Sequence, residues 1–136
     1  MSFTRLLLIW LGILVIISSA IGSQRLIKFW RLAKYGIEGE AIVTKLSPEY
    51  HQNVCYEYRV NGMPYKGRAL SKYPNPNFDQ LLIGNKLIVF YNPNDPSLSS
   101  IGNPDALLKN ELISISLAAI LGASFTVIVI ALKFPK

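Results

Sequence analysis

The segment NVCYEYRVNGMPYKGRAL, residues 53–70, lies midway between two long apolar stretches of the chain. In its first half, valine or tyrosine occupies every second position, and more polar residues lie between them. The four positions are Val54, Tyr56, Tyr58 and Val60. This period of two is typical of a β-strand with one buried face. Asn61-Gly62 follows at once, and both residues tolerate the positive φ angles of a type I′ turn. We therefore expect an antiparallel hairpin with a return strand over residues 65–71.

Pro64 leaves two hairpin registers open, because proline cannot donate to a β-ladder and could lengthen the loop from two residues to four. A two-residue turn places Tyr58 opposite Tyr65, whereas a four-residue turn places Val60 there. In both registers the tyrosines face inward and Glu57 lies opposite a cation.

The segments around the hairpin complete a small β domain. We predict a first strand at 40–47, a central strand covered on both faces at 86–91, and a short edge strand at 98–101. One or two helical turns are predicted at 78–83, with Asn77 as N-cap and Gly84 as C′. The predicted fold is membrane α+β, with two transmembrane helices flanking a small, mainly antiparallel β domain that is either a sandwich or a partly open barrel.

The apolar stretches predict the two membrane helices. Residues 6–22 and 112–132 contain no charged side chain, the chain is 51% hydrophobic, and its mean hydropathy is +0.32. A secretory signal peptide is the alternative for the first stretch, since residues 1–5 are basic and residues 18–23 offer small side chains for cleavage. The apolar run exceeds a usual signal core, which favours a retained helix. The predicted domains are 1–35 (transmembrane helix with a basic amphipathic extension), 36–105 (β domain) and 106–136 (second transmembrane helix and basic tail).

Small residues recur every four positions on the last helix: Ser114, Ala118, Gly122 and Thr126. The first helix has a smaller version of this pattern, in Ser18 with Gly22 and Ser19 with Ser23. Such spacing allows two helix backbones to approach closely, so we expect the two helices to pack antiparallel on these faces. Self-association and chance composition are the alternatives.

The net charge of +6 comes from cations that are spread along the chain, which favours anionic lipid headgroups over nucleic acid as the partner. Basic residues and a tryptophan beside the apolar stretches are predicted to anchor the chain at the membrane interface: Arg25, Lys28, Trp30, Arg31, Lys34 and Lys133. Near the helix ends, five cations flank the central domain and three flank the termini. The excess favours a cytoplasmic β domain, with both termini on the opposite side of an inner (plasma) membrane that the chain crosses twice.

Residues with catalytic or ligand chemistry are sparse. His51 is the sole histidine and Cys55 the sole cysteine, so a zinc site of usual ligand type and count is excluded. The sequence contains neither a G-x-S-x-G motif nor a glycine-rich phosphate loop, and its eight acidic residues are scattered singly. We therefore expect no metal, no cofactor and no enzymatic activity.

Tyrosine is the one chemically distinctive residue type, with seven in the chain. Most are expected to fill a thin core while keeping their hydroxyls at its wet rim. Tyr50 and Tyr73 lie in predicted loops and are candidates for a partner-binding surface.

Three segments resemble a family of small bacterial membrane proteins that carry the domain of unknown function DUF3592. They are GEAIV at 39–43, YEYRVNGMPYKG at 56–67, and GNKLIVFYNPNDPS at 84–97. The resemblance implies the same architecture and supplies no catalytic or ligand-binding residues. Asp95 stands where asparagine is common in that family.

The expected function is that of a non-enzymatic binding or accessory module of the cell envelope. Its partners would be the lipid bilayer and another membrane or envelope protein. The alternative is a membrane-resident immunity protein that neutralises a toxin. Genomic neighbourhood would discriminate between them.

Overall fold

The computed structural model describes residues 2–72 and 74–134, with Ser23 described by its backbone alone. Its elements follow the chain in this order: α1 (Phe3–Tyr35), β1 (Ile37–Ser47), β2 (Asn53–Val60), β3 (Met63–Leu70), a 3₁₀ helix (Phe78–Gln80), β4 (Lys86–Asn92), β5 (Asp95–Ser100) and α2 (Pro104–Lys133). They fall into two compact units. One comprises residues up to Leu26 with those from Lys109 onward, and the other is Ile27–Leu108.

The predicted hairpin is confirmed as β2 and β3. Asn61 and Gly62 have φ values of 51° and 80°, as a type I′ turn requires. The turn has two residues, so Tyr58 pairs with Tyr65. Pro64 lies inside β3, opposite Arg59. This is tolerable because β3 is the terminal strand of the hydrogen-bonded ladder, where a missing N–H leaves no partner strand unpaired.

The five strands form one antiparallel sheet in the order β3-β2-β1-β4-β5. The first three strands are consecutive neighbours, and β4 returns to lie beside β1, which is the Greek-key connection. The two end strands, β3 and β5, approach each other, so the sheet curls into a nearly closed barrel. Of the two predicted architectures, the partly open barrel is therefore confirmed, in the same architectural class as the OB-fold.

The barrel bends at β1, which pairs with β2 on one side and β4 on the other. Val43 pairs with Tyr56 and Lys45 pairs with Cys55, so Thr44 is the extra residue of a β-bulge. A bulge bends its strand and increases the local twist. It also reverses the inward positions, since Val43 and Leu46 both contact the core while Thr44 and Lys45 are exposed.

Two predictions about the later strands need correction. The apolar run 86–91 does form a strand between two neighbouring strands. Its outward side is exposed to solvent, as the 59% exposure of Ile88 shows. Only alternate residues of β4, namely Leu87, Val89 and Tyr91, contact the core. Gly84 does not end a helix: the helical segment stops at Gln80, and Gly84, at φ 91°, lies in a separate turn closed by the Asn85 N–H bond to the Leu82 carbonyl.

The two long helices pack antiparallel, as predicted. Trp10 Nε1 donates to Ser124 Oγ at 3.2 Å, Ile17 packs against Gly122, and Gly22 lies against Ile115. Both helices are long and apolar enough to cross a membrane, with candidate spans at Phe3–Gly22 and Pro104–Lys133.

The predicted small-residue face of α2 is only half right. Ser114 and Ala118 are exposed, whereas Ile115, Ala119 and Ala123 are buried. Residues four apart advance by about 40° around an α-helix, so a four-residue stripe winds off a straight contact line. The stripe reaches the interface only at its later members.

Candidate binding surfaces

Tyrosine side chains from β2 close the gap between the two ends of the sheet. Tyr56 is 1% exposed, its ring lies over Gly67 of β3, and its hydroxyl shares a hydrogen bond of 2.8 Å with Ser99 Oγ of β5. Tyr58 donates its hydroxyl to the Pro96 carbonyl at 2.5 Å. The two β2 tyrosines thus connect the strands that the backbone ladder leaves unpaired. Glycine is required at position 67, because a β-carbon there would overlap the Tyr56 ring.

Further aromatic contacts extend this cluster. The Tyr58 ring stacks on Tyr65 and Tyr91, with ring centroids 5.8 Å and 6.1 Å apart. Burial raises the pKa of Tyr56 to about 12, and burial also raises the pKa of Tyr58. Both groups are therefore neutral at physiological pH. The prediction that tyrosines fill the core is confirmed for this set, but the Tyr56 hydroxyl is buried against Ser99 and does not lie at a wet rim.

The barrel's outer face consists of the side chains of β1 to β4 that alternate away from the core. One row runs across all four strands, from Lys86 through Ile42 and Glu57 to Lys66. A neighbouring row places Cys55 between Lys45 and Arg68. The face is thus a mixed apolar and charged surface on a hydrogen-bonded sheet.

Cations are prominent on the outer face, on β1 as well as on β2 and β3. Lys86 forms an ion pair with Glu40 at 3.1 Å, and both side chains are largely exposed, so the pair adds little stability. Lys45, Arg59 and Arg68 have no carboxylate within salt-bridge distance among the residues described. These three cations leave the face with positive charge that a partner can neutralise.

A second exposed apolar feature is the loop before β4. Leu82 and Ile83 are about 70% exposed. Their turn is held by Asn85, whose side-chain oxygen accepts from the Leu82 N–H at 2.6 Å, and by the Gly84 N–H bond to the Val43 carbonyl. This feature differs from the sequence-based prediction, which places residues 78–83 in a short helix.

Of the two tyrosines predicted to form a partner surface, Tyr50 is the one that lies among the described residues. Tyr50 is exposed in the turn between β1 and β2, and Tyr73 lies outside the described residues. His51 occupies the same turn as Tyr50 with a positive φ of 55°. No group of three potential metal ligands occurs among residues 2–72 and 74–134.

The predicted membrane-interface residues lie at the ends of the two helices. Five of them fall within ten residues near the end of α1: Arg25, Lys28, Trp30, Arg31 and Lys34. Lys133 is the last residue of α2. Their role at a membrane surface stays a prediction.

Comparison with known proteins identifies the β domain. The family model described as Domain of unknown function (DUF3592) matches residues 38–105, from the second residue of β1 to the first turn of α2. No curated protein and no solved structure matches the chain. The match covers half of the sequence and all three segments on which the resemblance rested, and the chain therefore belongs to the DUF3592 family.

Proposed function

We propose that this protein is a non-enzymatic accessory module of a bacterial cell envelope, anchored by two membrane-spanning helices. Its barrel binds another membrane or envelope protein through the outer face. The observation that carries this proposal is the combination of open apolar side chains and unpaired cations on a barrel held rigid by buried tyrosines.

The helix pair supports insertion as a hairpin. Gly22 lies level with Ile115, so Arg25 falls within about one residue of the level of Glu111 on the antiparallel partner. At the other end, the contact between Trp10 and Ser124 puts Arg5 within about one turn of Lys133. Between these charged ends each helix is apolar over about 28–32 Å, which matches a hydrocarbon core of about 30 Å.

The outer face supports a protein partner with an acidic and apolar surface. Ile42 and Ile88 are 46% and 59% exposed and lie on adjacent strands, offering apolar contact area. Lys45, Arg59 and Arg68 supply charge that would steer an acidic partner and set its orientation. Because the strands of the outer face are already hydrogen bonded to one another, binding would require little ordering of the backbone.

Site-directed photo-crosslinking in native membranes tests this surface. A benzophenone amino acid at Ile88 is expected to yield a protein adduct of defined mass. A benzophenone at Asn94, which is exposed in the turn between β4 and β5, serves as the matched control and is expected to yield none. Reversing charge with Lys45→Glu and Arg68→Glu should weaken the Ile88 adduct by about tenfold or more, since like charges oppose an acidic partner. Equal crosslinking at both sites, or lipid adducts alone, would contradict the proposal.

Topology gives a second prediction. Positive charge near the domain side favours the cytoplasm, so the β domain is expected inside and both termini outside. Asn94→Cys in a Cys55→Ser background provides one exposed thiol in the barrel. A membrane-impermeant maleimide should label it only after permeabilisation, whereas a cysteine at Ser2 should be labelled in intact cells. The reverse pattern would place the domain outside.

A further inference from the structure

The last turns of α1 present a mixed aromatic and basic stripe on one side of the helix. It consists of Ile27, Trp30, Arg31 and Lys34, which follow the i, i+3, i+4, i+7 spacing of a single helix face. All four side chains are exposed, and Trp30 is 47% exposed. The opposite side of these turns is covered, since Leu32 is 1% exposed. We call these four residues, with the adjoining Tyr35, the outward stripe.

Contacts within the outward stripe hold its lysine over aromatic rings. Lys34 Nζ lies 5.0 Å from the centre of the Trp30 ring and 5.2 Å from that of Tyr35. The two rings meet edge to face, with centroids 6.4 Å apart. Cation–π contacts of this kind fix a charged group without neutralising it. The ammonium group therefore stays available to an external anion.

The charged side chains of α1 are all of one sign. Residues 1–37 contain no aspartate or glutamate, and the first acidic residue is Glu38. The stripe also continues the helix of the first candidate span, because Ile27 comes five residues after Gly22, where that span ends. A surface that follows an apolar span and mixes isoleucine, tryptophan and cations has the composition of segments that lie among lipid headgroups.

We propose that the outward stripe is a binding site for anionic lipid headgroups at the membrane surface. Arg31 donates its forked N–H groups to a phosphate, a geometry that guanidinium matches in two parallel hydrogen bonds. Lys34 donates to a neighbouring headgroup oxygen, while Ile27 and Trp30 contact the boundary between headgroups and acyl chains. This inference requires α1 to cross the membrane, but it is independent of any protein partner of the barrel.

Fluorescence quenching of Trp30 tests the site in the full-length protein. The chain has two tryptophans, so Trp10→Phe leaves Trp30 as the sole reporter and Trp30→Phe leaves Trp10. Each variant is placed in nanodiscs of phosphatidylcholine alone or of phosphatidylcholine with phosphatidylglycerol, with a nitroxide on the headgroup or at mid-chain. We expect Trp30 to be quenched mainly by the headgroup nitroxide, and more strongly when phosphatidylglycerol is present. Trp10 should be quenched mainly by the mid-chain nitroxide. Circular dichroism checks that each variant keeps its helices.

Charge substitutions give the second measurement. Native mass spectrometry of the detergent-released protein would count the phosphatidylglycerol molecules retained. Arg31→Gln with Lys34→Gln is expected to weaken retention about fivefold for each cation removed. Lys66→Gln with Arg68→Gln removes the same charge from the barrel and is expected to leave retention unchanged. Equal losses in the two double variants would overturn the site. The site would also be overturned if the headgroup nitroxide did not quench Trp30 fluorescence and a photo-crosslinker at Ile27 captured an acidic protein.

Discussion

Replacing Tyr56 by alanine is expected to destabilise the β domain by about 3–5 kcal/mol, the usual cost of removing a buried aromatic side chain. The ring is 1% exposed, lies over Gly67, and reaches Ser99 on the strand beyond the gap. Its removal leaves a cavity where the backbone ladder is open. Small domains have total stabilities of about 5–15 kcal/mol, so the substitution is expected to remove from about a fifth to all of the stability of the domain. Urea titration of the full chain in mild detergent, followed by near-UV circular dichroism, would measure the change.

Tyr56→Phe is the matched control, because it keeps the ring and removes only the hydroxyl. Losing the hydrogen bond to Ser99 should cost about 1 kcal/mol. A phenylalanine variant as unstable as the alanine variant would show that the hydrogen bond, and not the packed ring, closes the barrel. An alanine variant with unchanged stability would contradict the role assigned to Tyr56 altogether.

The stability of the domain is also expected to depend on pH, and the unaltered protein and Tyr56→Phe should differ in this dependence. The pKa of Tyr56 is about 12 in the folded domain and about 10 in an unfolded chain. The folded state therefore holds its proton more tightly, and stability present below pH 10 is lost as the pH rises from about 10 to about 12. The loss attributable to Tyr56 is about 2–3 kcal/mol. The slope of stability against pH in this interval should be shallower for Tyr56→Phe, and equal slopes would contradict the assignment.

Replacing Gly22 by leucine is expected to separate the two long helices. A β-carbon at position 22 would overlap the Ile115 side chain, which lies directly against the glycine. Overpacking of this kind costs about 1–3 kcal/mol, and leucine adds more bulk than a methyl group. Titration with SDS in a Trp30→Phe background, followed by the fluorescence of Trp10 beside Ser124, would report the loss of helix contact.

Two further variants make this prediction specific. Gly12→Leu on the same helix is the matched control, because a β-carbon at Gly12 has no neighbour within 4 Å. It should leave the SDS midpoint unchanged. Ile115→Ala should restore the midpoint of Gly22→Leu, since it removes the side chain that would clash. Equal effects of leucine at both glycines would show that lowered backbone freedom, and not the helix contact, causes the change.

Most features of the hairpin could be predicted from residues that are close in sequence, but its register could not. Alternation over β2 and the Asn61-Gly62 turn were sufficient to predict the strands, their inward faces and the reversal between them, because these depend on residues close in sequence. Pro64 left the register open, since its cost depends on whether β3 has a further neighbour. Only the sheet order answers that question.

The candidate surfaces were harder to predict than the elements that carry them. The apolar run of β4 suggested burial on both faces, yet Ile88 is 59% exposed, because β4 alternates its side chains between the core and the outer face. The cations of α1 were recognised individually. Which of them share a face with Trp30 depended on which side of the helix is covered within the unit, as the burial of Leu32 shows.

By itself, the sequence determined the two apolar helices, the hairpin, the tyrosine-rich core and the DUF3592 membership. Each of these depends on local composition or on the spacing of residues that are close in sequence. The tertiary structure alone decided that the sheet curls into a barrel, that Tyr56 bridges β3 and β5 through Ser99, and that α2 turns Ala119 towards α1 in place of Ala118. These outcomes depend on contacts between residues far apart in the chain. Such contacts depend on the bulge at Thr44 and on the gradual rotation, around the helix, of residues spaced four apart. Neither can be read from the periodic spacing of apolar or small residues in the sequence.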